Sequence, residues 1–135
     1  MPNLLVLEDD LNQARMAADM AHKAGFIEVQ ALASAKLAQI QLENAIEDHT
    51  PLPDAIVLDL DLGTESGFEL LRFCHRNRLL QQIRIVVWTV MGEHEREICR
   101  LFGVSEFVSK QDGASALLEV LNRINRRNPD SAANA

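Results

Sequence analysis

Cysteine, basic residues and long apolar runs are all scarce in this sequence, and each shortage removes a class of protein. Only Cys74 and Cys99 are present, both in helical patterns and without a CxxC or Cys/His spacing. They read as reduced, half-buried thiols, with neither a disulfide framework nor a thiolate metal site. No apolar stretch approaches the ~20 residues that cross a bilayer. The start, Met1-Pro2-Asn3, lacks the basic and apolar regions of a signal peptide. A cytoplasmic protein with no membrane partner is expected. Lysine and arginine number 13 against 20 acids, a net charge of −7, which argues against nucleic acid as a direct partner of the domain. His22, His49, His75 and His94 fall on separate segments with no shared spacing, so no histidine metal site is expected. There is no internal repeat, low-complexity block or second domain.

What remains is 47% hydrophobic over 135 residues, enough for one domain with a real core. Five short apolar runs alternate with helical stretches, the pattern of a parallel sheet with crossover helices. Strands are expected near residues 3–8, 26–30, 54–59, 83–89 and 104–109. Most are continuously apolar, as strands covered on both faces must be. Phe26-Ile27-Glu28-Val29-Gln30 alternates instead and is expected at an edge.

The first helix is expected to start at an Asp10 N-cap, with Gln13 completing a capping box, and to end at Gly25. The second follows Ser34, carries Leu37, Ile40, Leu42, Ala45 and Ile46, and is stopped by Pro51 and Pro53. The third holds Phe68, Leu70, Leu71, Phe73 and Cys74. The fourth runs from Glu93 to Phe102, with acids early and Gly103 as its stop. The fifth is expected to take Asp112 as N-cap and to carry the stripe Ala114, Leu117, Leu118, Leu121, Ile124. Residues 1–127 read as the domain, and 128–135 as a flexible tail or the start of a linker.

The ends of four runs carry the chemistry. Leu4-Leu5-Val6-Leu7 leads into Glu8, Asp9 and Asp10, and Ala55-Ile56-Val57-Leu58 into Asp59. Ile85-Val86-Val87-Trp88 leads into Thr89, and Phe107-Val108-Ser109 into Lys110. In an open parallel sheet the carboxyl ends of the strands share one crevice, and ligands bind there. Several carboxylates, a hydroxyl and an amine gathered at that edge are costly unless a cation balances them. Such a set points to phosphate-and-metal chemistry.

Pro53-Asp54 precedes the third run, and Gly67 stands eight residues beyond Asp59. With the acid pair, Asp59, Thr89 and Lys110 in this order, the chain resembles a response-regulator receiver domain of the chemotaxis-regulator-like superfamily, from Asn3 to Arg127. The resemblance implies an α/β fold, a five-stranded parallel sheet doubly wound as (βα)5, in a flavodoxin-like three-layer α/β/α sandwich. It implies that Asp59 is the phosphoacceptor, charged by a phosphohistidine of a sensor histidine kinase or phosphotransfer protein, or by a small phosphodonor. Asp9 and Asp59 would bind Mg²⁺ directly, Glu8 through water and Asp61 through its backbone carbonyl. Lys110 would pair with the phosphoryl oxygens, and Thr89 would turn to hydrogen-bond them.

In such domains the face of the fourth helix, fifth strand and fifth helix carries the signal to a downstream effector protein or a fused output domain. An aromatic residue shortly before the lysine turns with the hydroxyl. Phe107 holds that place, and it has no hydroxyl of its own. The domain would be a phosphoacceptor signalling unit and not an enzyme, promoting only its own aspartyl phosphorylation and dephosphorylation. The fourth and fifth helices carry no obvious self-complementary charge set, so the sequence commits to no oligomeric state.

The physics of the residues agrees. Moving a phosphoryl group onto a carboxylate brings two anions together, so a hard cation on oxygen ligands and a lysine lower the barrier by neutralising charge. A carboxylate nucleophile, ordinarily ionised at neutral pH, needs no general base. Some positions depart from the family pattern. Val90 stands where a small residue is usual, and its β-branched side chain is expected to shield Asp59 in part. Gln111 follows Lys110 where many relatives have a proline preceded by a cis peptide, which loosens the expected placement of the ammonium. Gly63 replaces a common proline. Asp61 adds a carboxylate two positions from the nucleophile.

Two other functions stay open. Asp59-Leu60-Asp61-Leu62-Gly63-Thr64 resembles the DxDx(T/V) signature of haloacid-dehalogenase-type phosphatases, although that motif sits on a first strand. A receiver-like binding module working without phosphorylation would keep the fold and lose the chemistry. Trp88 reads as a packing residue of the fourth strand, next to Thr89.

Overall fold

Side chains along a strand point to opposite faces in turn, and most of these apolar runs are apolar on both. In the computed structural model, which describes residues 2–90, 92–104 and 106–126, they form β1 (Asn3–Leu7), β2 (Glu28–Leu32), β3 (Ala55–Leu58), β4 (Arg84–Thr89) and β5 (Glu106–Ser109). Arg127 and the tail expected over 128–135 lie outside the described residues. All neighbouring strands are parallel, in the order β2-β1-β3-β4-β5. The crossovers are α1 (Leu11–Lys23), α2 (Ala35–Asp48), α3 (Gly67–Arg76) and α4 (Glu93–Leu101), and α5 (Ala114–Arg126) follows the last strand. The expected doubly wound α/β/α sandwich is the observed fold.

Alternation sorts the core into two layers. Leu4, Val6, Val57, Val86, Trp88 and Val108 face α1 and α5, packing with Ala14, Ala17, Leu117 and Leu121. Leu5, Leu7, Ile56, Leu58 and Val87 face the other side, against Ala38, Leu42, Leu70, Leu71 and Cys99 of α2, α3 and α4. At ~25 cal/mol per Å² of apolar area removed from water, these two layers are the main source of stability.

The register brings the strand ends level: Leu7 pairs with Leu58, Leu58 with Val87, and Thr89 with Ser109. The residues that follow therefore meet at one rim. The chain winds outward in opposite senses from β1 and β3, so the crevice opens between these two strands. At the opposite rim, Asn3 and Asp54 fasten β1 to β3: the Asn3 amide donates to Asp54 Oδ2 (2.8 Å), and the Asp54 amide to Asn3 Oδ1 (2.9 Å).

Several local expectations need correction. The edge strand starts at Glu28, two residues late, while Phe26 is buried in the core ahead of it. Asp10 caps α1 by accepting from the Gln13 amide, but the capping box closes on one side only. The Asp10 amide donates to Glu8 Oε1 instead (3.0 Å), and Gln13 Oε1 is buried without a partner. On α2 the buried residues are Ala35, Ala38 and Leu42, whereas Leu37 and Ile40 are exposed. Asp112 does not cap α5; it ends a 3₁₀ turn, Lys110–Asp112, and Gly113 (φ 87°) stands between that turn and the helix. A two-rung antiparallel hairpin, Asp61–Leu62 with Glu65–Ser66, was not expected.

Candidate functional site

Glu8, Asp59 and Thr89 are the only buried polar residues at this rim among the described residues. Each follows or ends an apolar strand, so burial of the strand carries the polar group inward with it. Asp59 sits at the centre. Its Oδ1 accepts from the Thr89 hydroxyl (2.9 Å) and from the Asp61 amide (3.1 Å). Its Oδ2 accepts from Lys110 Nζ (2.7 Å), which also donates to Glu8 Oε2 (2.6 Å). One ammonium thus bridges two buried carboxylates.

The charges respond as burial dictates. Desolvation pushes the Glu8 carboxyl well above the usual range, against the lowering pull of Lys110 and the Asp10 amide. Burial pulls the Lys110 ammonium down, but the hydrogen bonds to Asp59 and Glu8 outweigh it and raise the group above its ordinary value.

Glu8, Asp9 and Asp59 each offer a carboxylate oxygen, and these atoms lie within 4.8 Å of one another. An all-oxygen, all-anionic set suits a hard divalent cation. The raised Glu8 carboxyl agrees, since a cation alongside would relieve the cost of burying that anion. The Asp61 carboxylate is not part of this group; it is exposed and accepts from the Gly63 amide (3.1 Å). All the residues singled out in sequence therefore reach one rim, with only the Asp61 side chain turned elsewhere.

Thr89 was expected to turn toward a phosphoryl oxygen. Its hydroxyl already points inward, onto Asp59. Val90 is itself 58% exposed, while Asp59 is only 6% exposed. Phe107 lies half-buried on β5, with the Arg96 guanidinium of α4 5.0 Å from its ring centroid, so the two elements touch through this ring.

Three contacts had no sequence signal, or only a faint one. Gly63 has φ 74°, and a β-carbon there would meet Asp9 Oδ2 at 3.2 Å. At Gly67, noted only for its spacing, an added β-carbon would run into the Asp59 backbone. Lys110 Nζ lies 5.0 Å from the ring centroid of Trp88, whose position beside Thr89 was the only hint.

The model of the family described as response regulator receiver domain matches residues 4–122. The phosphate regulon transcriptional regulatory protein PhoB of Pseudomonas aeruginosa is 28% identical over 129 residues, covering 92% of this chain and 52% of that protein. Its Escherichia coli counterpart is 25% identical over 126 residues, with the same coverage. The chain spans about half the length of these curated relatives. A sensor protein from Polaromonas sp. JS666 has a similar solved structure, with TM-score 0.75 and 27% identity over 91% of this chain and 94% of that one. The Mn²⁺-bound form of response regulator Rcp1 shares the fold, with TM-score 0.75 at 22% identity and 94% of each chain covered.

Proposed function

The chain belongs to the response regulator receiver domain family of two-component signalling, and on that footing we propose that Asp59 accepts a phosphoryl group and that the domain relays it as a change of shape. The observation that carries this reading is the triple engagement of one buried carboxylate, by Thr89, Lys110 and the Asp61 amide, beside two further acids. Such a carboxylate is oriented before any donor arrives. Orientation and charge neutralisation are what phosphoryl transfer demands of a protein.

In the proposed step an Asp59 oxygen forms the new O–P bond while the P–N bond of a donor phosphohistidine breaks, its electron pair returning to the imidazole nitrogen. Asp9 and Asp59 would hold Mg²⁺ directly, Glu8 through water and Asp61 by its backbone carbonyl. Mg²⁺ bound there supplies positive charge to the oxygens of the transferring group. Lys110 moves from Asp59 Oδ2 to a phosphoryl oxygen, and the Thr89 hydroxyl follows from Oδ1. That displacement is the differential contact a two-state switch needs, and the ring of Phe107 passes it to the face of α4, β5 and α5. The branched Val90 slows access of donor and water to Asp59.

A sensor histidine kinase or phosphotransfer protein is the proposed donor, and a downstream effector or fused output domain the recipient. The relatives named for transcriptional regulation favour a transcriptional output, reached through that recipient and not by nucleic acid binding of this domain. The receiver unit is taken as residues 1–127, in the cytoplasm. No helix among the described residues is long and apolar enough to cross a membrane.

Incubation with acetyl phosphate and Mg²⁺, followed by intact mass, tests the reading. One added phosphoryl on the native protein and none on Asp59→Asn is the expected result. Beryllofluoride with Mg²⁺ should in addition move the backbone amide signals of Thr89 and Phe107. A chain that takes up no phosphoryl and shows no such shifts would instead be a binding module of the same fold.

A further inference from the structure

We infer that Trp88 is a positioning residue for Lys110, holding the ammonium against the face of its indole; the inference rests on the phosphoacceptor reading above. Lysine ends in a point charge on a four-carbon stem, with many rotamers to lose when it is fixed. Two buried carboxylates, Glu8 and Asp59, share this one. The residue after it, Gln111, is exposed, and its backbone amide donates to the Ser109 hydroxyl (3.2 Å) and not toward the ammonium. A third contact stands beside these two hydrogen bonds: the ring centroid of Trp88 lies 5.0 Å from Nζ.

The setting strengthens that contact. Trp88 is 2% exposed and the Lys110 side chain 10%, so little water intervenes, and an indole face attracts a cation best when both are desolvated. The indole N–H is buried and meets no acceptor among the described residues, although buried tryptophans usually find a partner. Among the described residues it is the face of the ring, and not its N–H, that meets a charged partner. A ring acting only as filler between β4 and the α1–α5 layer would do equally well with any charge on its face.

Fluorination separates the two roles, because it drains electron density from the face with little change of shape. Trp88 is the only tryptophan of the chain, so fluorinated tryptophans incorporated biosynthetically label this site alone. Two quantities are read across the unmodified, mono-, di-, tri- and tetrafluorinated proteins. The first, without metal or donor, is the NMR shift and proton exchange of the Lys110 side-chain ammonium. The second is the rate of Asp59 phosphorylation by acetyl phosphate with Mg²⁺.

A stepwise change in the ammonium signal is expected, together with a logarithmic fall in rate of about tenfold over the series. Trp88→Phe should keep part of the rate, and Trp88→Leu should lose most. An ammonium signal and a rate that both ignore fluorination would overturn the proposal and leave Trp88 as filler. If the unmodified protein takes up no phosphoryl, the phosphoacceptor reading fails by itself, and the metal-free ammonium signal still decides whether Trp88 holds Lys110.

Discussion

No side chain fits between Gly67 and the carbonyl oxygen of Asp59. A β-carbon built on Gly67 would overlap that oxygen and stand 2.9 Å from the α-carbon of Leu60. The Gly67 amide meanwhile donates to the Leu60 carbonyl (2.8 Å), pinning the start of α3 under the acceptor loop. Gly67 is not in the left-handed region, so its backbone alone would accept alanine. At an ordinary first-turn position that exchange is neutral or gains up to ~1 kcal/mol of helix propensity. Here the obstructing atoms are backbone and cannot swing aside. Gly67→Ala is expected to destabilise the fold by about 2 kcal/mol and to slow Asp59 phosphorylation, read by urea denaturation and intact mass. A stability gain would mean that the loop after β3 yields freely, and that the family's spacing of glycine from aspartate has another cause.

Lys110→Met keeps most of the side-chain volume and removes the charge. Glu8 and Asp59 would then stand buried beside each other with no cation between them. Breaking a buried pair by removing one partner costs about 3 kcal/mol, so the variant should unfold at clearly lower urea than the native protein when metal is absent. Mg²⁺ should restore part of that loss, because the acids it would neutralise are the ones Lys110 leaves behind. The comparison to make is the gain in urea midpoint on adding Mg²⁺, expected to be larger in the variant. Equal gains would show that Lys110 does little to offset these two charges.

Much of this was legible in the sequence, for a physical reason. Strands covered on both faces must be apolar throughout, so a polar residue can stand only at their ends, and the break at Leu7-Glu8, Leu58-Asp59 and Trp88-Thr89 marks the rim directly. Periodicity served less well on α2, where Leu37 and Ile40 face solvent and small alanines make the contact. Competition for a donor was invisible too. Gln13 has the right type and spacing for a capping box, but the Asp10 amide it should receive is taken by Glu8, two residues before it. The Asp112 cap failed because the lysine turn runs into Gly113 before α5 starts. Contacts between distant segments, Gly63 with Asp9 and Trp88 with Lys110, leave no local pattern at all.

The two thiols give a prediction that stays clear of the site. Cys74 is 2% exposed and Cys99 1%, in the layer formed by α2, α3 and α4. Burial pushes the Cys74 thiol from its ordinary 9.0 up to about 12. Burial, with a smaller push from Glu95, takes Cys99 to about 11. Native protein at pH 8 should therefore resist a thiol reagent such as iodoacetamide, with labelling that tracks unfolding. The sign for stability follows from proton binding. Between about pH 9 and 12 the unfolded chain sheds thiol protons that the folded chain keeps, so the contribution is complete below pH 9 and is lost as pH rises toward 12. Cys74 can remove up to about 1.4 kcal/mol per pH unit across that window, and Cys99 as much only up to about pH 11. Urea midpoints measured from pH 8 to 11 should fall more steeply for the native protein than for Cys74→Ala. Parallel curves, or fast labelling of the folded protein at pH 8, would show that Cys74 is reached by water and that the layer over β3 and β4 opens locally.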